Sequence, residues 1–239
     1  MGKFRVLIVD DHPMMRRGVR DALASDPEIE ICGEAEDVVE ALTQVRQKQP
    51  DLIILDVSLP SGSGLEVMKD IHTQDHRTRV LFLSMHDEAV FAERALQAGA
   101  LGYINKARTG DELIEAVHKV MRGEIALSTE IADRLMRRAL DNGAAGKPTG
   151  VSGLSDRELE IFDLIGRGLG TREIAERLCL SVKTVETHRQ HIKQKLELSS
   201  AAELSRHAAL WTQGGTQPSG TCWKAHAPTA DRMWGSRPS

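Results

Sequence analysis

Five short apolar runs, each followed by an amphipathic stretch, occupy the first half of this 239-residue chain. Nearly continuous apolar runs are typical of strands buried on both faces of a parallel sheet, whose crossovers are helical. The predicted strands span residues 4–9, 29–35, 52–55, 80–84 and 100–104, and the predicted helices span 13–25, 38–47, 64–72, 88–98 and 109–122. We therefore expect an α/β domain over residues 1–125, with a doubly wound, five-stranded parallel sheet.

The second half of the chain has a helical period and no strand pattern. Four short amphipathic stretches, at 156–166, 171–178, 182–196 and 200–210, predict a small all-α domain over residues 152–210. Residues 126–151 hold one more predicted helix, at 128–140, and a segment rich in Gly, Ala and Pro that is typical of a linker. Residues 211–239 show no period, so we expect a disordered tail.

Charge is unevenly distributed along the chain, whose formal net charge is −4. Residues 1–125 hold 15 basic and 22 acidic side chains, so this half is not expected to bind nucleic acid. Residues 182–196 hold four basic side chains and one acidic side chain, which favours a local contact with phosphates. Three widely separated cysteines predict neither a disulfide framework nor a zinc site. With no signal peptide or membrane span in the pattern, we expect a cytoplasmic protein without a membrane partner.

Acidic, hydroxyl and ammonium side chains lie at the ends of four predicted strands. Asp10 and Asp11 follow the first strand and Asp56 the third, while Ser84 ends the fourth and Lys106 follows the fifth. Because an open α/β sheet gathers its ligands at the carboxyl ends of its strands, we expect these groups to share one crevice. Three converging carboxylates repel one another unless a cation lies between them, and oxygen ligands suit Mg²⁺.

These side chains suit phosphoryl transfer. With a metal to offset the charge of the phosphoryl oxygens, Asp56 could attack phosphorus and become an acyl phosphate. Lys106 would neutralise another phosphoryl oxygen, and Ser84 would donate a hydrogen bond to it. Taken singly, each group has an ordinary interpretation: Asp11 could cap a helix, Lys106 could be a solvated surface residue and Ser84 could be satisfied near a turn. Their conjunction at successive strand ends favours the phosphoryl site.

The stretch from Ser181 onward predicts a helix that contacts DNA. Ser181 can cap the helix, which would place Lys183 and Thr184 near a phosphate. Apolar residues at helical spacing are expected to pack into the core: Val182, Val185, Ile192 and Leu196. An amphipathic surface helix with solvated charges is the alternative. In the preceding helix, Arg157 could pair with Glu158 or Glu160, or face a phosphate, and the sequence leaves these possibilities open.

The first half resembles a two-component receiver domain over residues 4–122. The resemblance rests on residues 9–13 (VDDHP), 55–60 (LDVSLP), 64–66 (GLE), 83–85 (LSM), 98–103 (AGALGY) and 105–106 (NK). It implies a flavodoxin-like fold and phosphorylation of Asp56 by a cognate sensor histidine kinase. It also implies a Mg²⁺ site formed by Asp10, Asp11, Asp56 and the backbone carbonyl of Ser58. Ser84 and Tyr103 would be the residues that shift on phosphorylation.

The second half resembles the LuxR-type helix-turn-helix of NarL/FixJ response regulators over residues 152–206. The resemblance rests on residues 154–160 (LSDRELE), 173–175 (EIA), 180–188 (LSVKTVETH) and 195–196 (KL). It implies that Glu186, Thr187 and Gln190 face base edges of double-stranded DNA. It further implies that phosphorylation frees an occluded recognition helix to bind as a homodimer and control transcription, with RNA polymerase as a further possible partner.

Two other classes of protein remain as alternatives. The helical domain could bind a partner protein instead of DNA, and the steep salt dependence of DNA binding would separate these two cases. The first domain could be a Mg²⁺-dependent phosphohydrolase that uses Asp56. Against this, Ser58 stands where such phosphatases usually need an acid–base aspartate. We therefore expect slow self-dephosphorylation only, and no enzyme.

Overall fold

A computed structural model of the chain describes residues 2–60, 62–74, 77–85, 88–107, 110–141 and 150–214. The strands are β1 (Phe4–Val9), β2 (Ile29–Ala35), β3 (Leu52–Leu55), β4 (Ser58–Leu59), β5 (Gly62–Ser63), β6 (Arg79–Ser84) and β7 (Gly102–Asn105). The helices are α1 (Pro13–Leu23), α2 (Val38–Lys48), α3 (Gly64–Gln74), α4 (Glu88–Gln97), α5 (Gly110–Met121), α6 (Thr129–Asp141), α7 (Asp156–Gly166), α8 (Thr171–Arg177), α9 (Val182–Lys195) and α10 (Ala201–Gly214). A short 3₁₀ helix covers Gly150–Gly153.

Five parallel strands form one sheet in the order β2-β1-β3-β6-β7. This order confirms the doubly wound α/β fold expected from the sequence. The register places Val9 beside Leu55 and Leu55 beside Phe82, so the carboxyl ends of the central strands are nearly level. Strands β4 and β5 form a small antiparallel pair directly after β3, which the sequence pattern did not predict.

Helices cover both faces of the sheet, because alternate residues of each strand point to opposite sides. On one side, Val6, Ile8 and Ile54 pack in a cluster with apolar residues of α1 and α5. On the other side, Leu7 and Ile53 belong to a cluster that includes residues of α2, α3 and α4. The segment after α5 pairs with β7 at the sheet edge, where Ala126 bridges Gly102. Helix α6 follows this segment and packs against α4.

The C-terminal helices pack around α7, which contacts α8, α9 and α10. Ser155 and Glu158 form a capping box at the start of α7. Helix α10 ends at Gly214, four residues beyond the predicted end. The ring of Trp211 lies 5.4 Å from that of Phe162, so the expected tail beginning at residue 211 was wrong at this boundary. Residues 142–149 and 215–239, where we expected a flexible linker and a disordered tail, lie outside the described residues.

Within the part of the chain that the structure describes, none of the helices combines the length and the apolar character needed to cross a bilayer.

Candidate functional site

Backbone hydrogen bonds of the sheet bring three charged residues together at its carboxyl edge. The amide of Asp10 donates to Ala35, that of Asp56 to Val9, and that of Lys106 to Ser84. In this arrangement the Nζ atom of Lys106 lies 2.6 Å from Oδ2 of Asp10 and 2.6 Å from Oδ2 of Asp56. All three side chains are buried. The structure therefore places these three predicted residues in one crevice.

The ammonium group of Lys106 is held in its charged form by the two carboxylates. Burial by itself would lower the pKa of Lys106, but the charges of Asp56 and Asp10 and their hydrogen bonds outweigh it. The pKa of Lys106 therefore lies above the ordinary value of 10.5. A buried ammonium at neutral pH is suited to neutralise an anionic group that arrives at Asp56.

Asp11 lies beside this pair with a carboxylate oxygen that is buried. Its Oδ1 atom has no hydrogen-bond partner among the described residues, although Nδ1 of His12 lies 2.5 Å away. Ligand atoms of Asp10, Asp11, His12 and Asp56 all lie within 4.8 Å of one another. Carboxylate oxygens gathered around one point, one of them a buried oxygen that accepts no hydrogen bond, fit a hard divalent cation such as Mg²⁺.

Three more predicted site residues lie on the strands and loops around this crevice. Ser84 ends β6 and is fully buried, while its carbonyl holds the amide of Lys106. Tyr103, in β7, is also fully buried, with its ring centroid 6.3 Å from that of Phe82. Ser58 begins β4, two residues after Asp56, and is half-buried. The expected roles of Ser84 and Tyr103 as switch residues and of the Ser58 carbonyl as a metal ligand stay predictions.

Two residues that contact the backbone of Asp56 and Asp10 were not predicted from the sequence. Gly64, at the start of α3, lies so close to the loop after β3 that a Cβ atom there would be 2.0 Å from the carbonyl oxygen of Asp56. Its amide donates to Val57 at 2.7 Å. Arg16 reaches from α1 and donates at 2.6 Å to the carbonyl of Asp10. A glycine at the first position of a predicted helix was a visible signal for close approach, whereas nothing in the local pattern marked Arg16.

Helix α9 presents a polar face to solvent. Ser181 caps the helix by accepting from the amide of Thr184 at 3.0 Å, as expected. Thr184 is half-buried, whereas the other predicted DNA-contacting residues are all exposed: Lys183, Glu186, Thr187 and Gln190. On the inner face, Val185 and Ile192 are fully buried and Leu196 packs against the core. Val182 is 44% exposed, so its assignment to the core was wrong.

The buried Arg157 in α7 pairs with Glu160, which resolves a choice that the sequence left open. Its Nη1 lies 2.6 Å from Oε2 of Glu160, and its Nη2 donates at 2.9 Å to the carbonyl of Leu178. Glu158 instead caps α7 and pairs with Lys195 at 2.6 Å. Arg157 is therefore committed to contacts within the protein, and a phosphate contact is not its role in this arrangement.

The two halves of the chain meet through α7. The hydroxyl of Ser58 hydrogen-bonds to the carboxylate of Glu160. Asp156 pairs with two basic residues of the first half, Lys69 at 2.7 Å and Arg94 at 3.0 Å. The guanidinium of Arg167 donates at 3.3 Å to the carbonyl of Met85, the residue that follows Ser84. The loop after β3, which carries Asp56, and the loop after β6, which follows Ser84, are therefore the same loops that contact α7.

This docking leaves the exposed polar face of α9 uncovered. We expected the first domain to occlude the recognition helix, yet Lys183, Glu186, Thr187 and Gln190 are exposed while the two halves are in contact. The inward side of the helix, in contrast, is packed against the rest of the domain. There burial lowers the pKa of His188, and its Nδ1 atom has no hydrogen-bond partner among the described residues. The contact between the two halves therefore does not bury these four side chains.

Comparisons with known proteins agree with both halves of this structure. Residues 6–118 match the response regulator receiver domain, and residues 152–208 match the bacterial regulatory proteins of the luxR family. The chain is similar to oxygen regulatory protein NreC of Staphylococcus carnosus, with 39% identity over 85% of this chain and 96% of that protein. It is similar to the DNA-binding transcriptional activator DevR/DosR of Mycobacterium tuberculosis, with 39% identity over 80% of this chain and 88% of that protein.

Among solved structures, RcsB of Salmonella typhimurium shares the fold, with a TM-score of 0.64 and 23% identity over 89% of this chain and all of that chain. The identities with NreC and DevR/DosR extend through both domains and cover most of each relative, so the resemblance is not limited to one half. The chain therefore belongs to the NarL/FixJ family of response regulators, which join a receiver domain to a LuxR-type helix-turn-helix domain.

Proposed function

We propose that Asp56 accepts a phosphoryl group from a cognate sensor histidine kinase and that this modification controls sequence-specific DNA binding and transcription. The observation that carries the proposal is the placement of the Lys106 ammonium 2.6 Å from both Asp10 and Asp56. In the second domain of the same chain, four polar side chains of α9 are exposed: Lys183, Glu186, Thr187 and Gln190. Contacts from the loops of that site to α7 connect the two. The domains that we assign are a receiver over residues 1–125, a linker over 126–151 and a DNA-binding domain that begins at 152.

In the proposed reaction, a carboxylate oxygen of Asp56 forms a bond to phosphorus, while the bond from phosphorus to the imidazole nitrogen of the kinase breaks. The electron pair of that bond stays with the imidazole. Lys106 and the hydroxyl of Ser84 then donate to phosphoryl oxygens. A bound Mg²⁺ would be held by Asp10, Asp11, Asp56 and the carbonyl of Ser58, and would offset negative charge on those oxygens. We propose no enzymatic turnover beyond slow self-dephosphorylation.

Phosphorylation would reach the second domain through the two loops that contact α7. The phosphoryl group adds about −1.5 to −2 charges beside Asp56, and Ser84 and Tyr103 shift toward it. Ser58 lies two residues after Asp56 and contacts Glu160, while Met85 directly follows Ser84 and contacts Arg167. Shifts at Asp56 and Ser84 would therefore weaken the contact between the two domains. The DNA-binding domain would then be free to pair with that of a second copy of the chain.

On double-stranded DNA, Lys183 and Thr184 would contact phosphates, while Glu186, Thr187 and Gln190 would face base edges in the major groove. The exposure of four of these five side chains supports the assignment. RcsB, which shares the fold, has been described as dimers bound to DNA, and we propose a phosphorylation-dependent homodimer for this chain also. DNA as the ligand favours the cytoplasm as its location and RNA polymerase as a later partner.

Selection of genomic DNA fragments by the purified chain tests this function. The chain is incubated with Mg²⁺ at near-physiological salt, with and without beryllofluoride as a phosphoryl mimic, and Asp56→Ala serves as the control. We expect a shared half-site to be enriched mainly with the mimic and only by the unmodified chain. Equal enrichment in all samples would keep the DNA function but reject the switch. No enrichment at all would favour a protein-binding role for the helical domain.

A further inference from the structure

A buried carboxylate of the DNA-binding domain reaches the phosphorylation loop of the receiver. Glu160, in α7, is fully buried and accepts a hydrogen bond from the hydroxyl of Ser58, although 102 residues separate the two in sequence. Arg157 holds the same carboxylate at 2.6 Å and donates at 3.3 Å to the carbonyl of Gly62. Arg157 and Glu160 of α7 thus contact both strands of the β4–β5 pair.

We infer that Glu160 is a positioning residue for Asp56: by holding Ser58, the docked DNA-binding domain lowers the affinity of the receiver for a phosphoryl group. This inference rests on the proposed function, because it takes the acidic crevice to be the phosphoryl site. It adds that the DNA-binding domain affects phosphorylation of the receiver, just as phosphorylation of the receiver affects DNA binding. DNA, by favouring the undocked domain, would favour loading of Asp56.

The first step of the argument is geometric. Ser58 is two residues from Asp56, and its backbone carbonyl is a proposed Mg²⁺ ligand, so one residue serves both the docking contact and the phosphoryl site. The loop between them has little freedom. The amide of Gly64 donates to Val57 at 2.7 Å, and Gly64 packs against the carbonyl of Asp56 so closely that no side chain fits. A force on Ser58 is therefore transmitted to the backbone of Asp56.

The second step is electrostatic. A phosphoryl group on Asp56 adds about −1.5 to −2 charges two residues from Ser58, whose hydroxyl donates to the Glu160 carboxylate. Arg157 offsets part of the Glu160 charge, but like charges near one another in a buried site still repel, since the effective dielectric constant there is below that of water. Separation of Glu160 from Ser58 relieves this repulsion and frees the hydroxyl of Ser58. Phosphorylation and docking through Glu160 are therefore mutually unfavourable.

The third step is thermodynamic linkage. If a phosphoryl mimic raises the affinity of the chain for DNA by some factor, DNA must raise its affinity for the mimic by the same factor. We assign part of this coupling free energy to the hydrogen bond between Ser58 and Glu160. Variants that weaken or remove the contact should therefore raise the affinity for the mimic without DNA and reduce the further gain that DNA produces.

The experiment is a calorimetric titration of the full chain with beryllofluoride in saturating Mg²⁺, with and without a DNA duplex that carries the selected half-site. The variants are Glu160→Gln, which keeps the size of the side chain but removes its charge and so weakens the contact, and Ser58→Ala, which removes the donor hydroxyl but keeps the backbone carbonyl. Glu176→Gln, an exposed position in α8, is the matched control for loss of one negative charge. Asp56→Ala reports any binding outside the site.

We expect both variants, but not Glu176→Gln, to bind beryllofluoride about fivefold more tightly than the unmodified chain without DNA, which is the lower end of typical coupling between sites. The double variant should gain no more than either single variant, because the two residues act through one contact. Equal affinities for the unmodified chain and both variants, with DNA binding still stimulated by beryllofluoride, would overturn this inference and leave the proposed function intact. Absence of stimulation in the unmodified chain would instead overturn the proposed function. If Glu160→Gln fails to fold, Ser58→Ala alone decides.

Discussion

Lys106, which follows β7, donates a hydrogen bond of 2.6 Å to Oδ2 of Asp56, which follows β3, so the contact spans the end of the intervening strand β6. The same ammonium group lies 2.6 Å from Oδ2 of Asp10. Both carboxylates are proposed ligands of Mg²⁺. The lysine therefore neutralises part of the charge that a cation would otherwise neutralise. A cation that binds here has to compete with an ammonium group already in place.

Removal of this ammonium group should strengthen Mg²⁺ binding. Lys106→Met keeps the length and the apolar stem of the side chain but removes its charge, so we expect the affinity for Mg²⁺ at pH 7 to rise by about tenfold or more, since unit charges a few ångströms apart interact by several kcal/mol near a protein surface. Titration calorimetry measures the change. Lys119→Met, in α5, removes a lysine that pairs with Glu115 and should leave the affinity unchanged. An unaltered affinity in Lys106→Met would show that the lysine and the metal do not share these carboxylates.

Gly64 should tolerate no side chain, because a Cβ atom would collide with the carbonyl oxygen of Asp56. Gly64→Ala is expected to lower the free energy of unfolding by about 1–3 kcal/mol, as overpacking does, and to weaken beryllofluoride binding through displacement of Asp56. Gly18→Ala is the matched control, since Gly18 is an exposed residue in α1 with open space around it. That change should stabilise the fold by about 0.5–1 kcal/mol. Urea unfolding compares the two, and similar effects would refute the close approach.

Asp26 and His118 form an ion pair at 2.6 Å, and its stabilising effect should depend on pH. The hydrogen bond from His118 holds the pKa of Asp26 below the ordinary 3.8. A lowered folded-state pKa means that the contact stabilises the fold above pH 3.8 and loses this effect as the pH falls through the lowered pKa. His118→Phe keeps the ring beside Phe4 but removes the donor. The pKa of Asp26, followed by carbon NMR of its carboxyl group, should rise in this variant, and an unchanged titration would contradict the assignment.

Two apolar residues of α9 should differ sharply in their contribution to stability. Ile192 is fully buried, so Ile192→Ala is expected to cost about 2–5 kcal/mol. Val182 is 44% exposed, so Val182→Ala should change stability by no more than about 0.5 kcal/mol. Chemical unfolding of the two variants, followed by circular dichroism, distinguishes them. A large loss in Val182→Ala would restore its original assignment to the core.

The error at Val182 shows what helical spacing can and cannot predict. Spacing correctly placed Val185 and Ile192 on one face, and it placed Val182 there too. Val182 is the first residue of α9, however, and its side chain is 44% exposed, whereas Val185, less than one turn further along, is fully buried. The end of α10 was also missed. Residues near Gln213 have loop-like composition, but Trp211 packs on Phe162 and Thr212 donates to the carbonyls of Ala208 and Ala209, and the helix continues to Gly214.

The acidic crevice was more predictable than the contact between the domains. Asp10, Asp56 and Lys106 could be placed together because parallel strands end at one edge of a sheet, so position along the chain is enough. The pairing of Ser58 with Glu160 has no such rule behind it. It depends on how two separately formed surfaces dock, and no periodicity relates residues 102 positions apart. The uncovered face of α9 could not be foreseen either, since the family resemblance implied occlusion without saying which side chains it buries.

The exposed face of α9 should divide into residues that bind DNA of any sequence and residues that select a sequence. Lys183→Ala is expected to weaken binding to all duplexes alike and to reduce the slope of log affinity against log salt by about one, because one phosphate contact is lost. Gln190→Ala should instead cost about 1–3 kcal/mol on the preferred half-site and little elsewhere, as the loss of a base-edge contact does. Binding isotherms at several salt concentrations, on the selected site and on point variants of it, measure both effects. Gln194→Ala, an exposed change one turn further along α9, is the control and should alter neither. If Gln190→Ala lost affinity uniformly while leaving the base preference intact, Gln190 would contact the DNA backbone instead of a base edge. The residues that contact bases would then have to lie nearer the start of the helix.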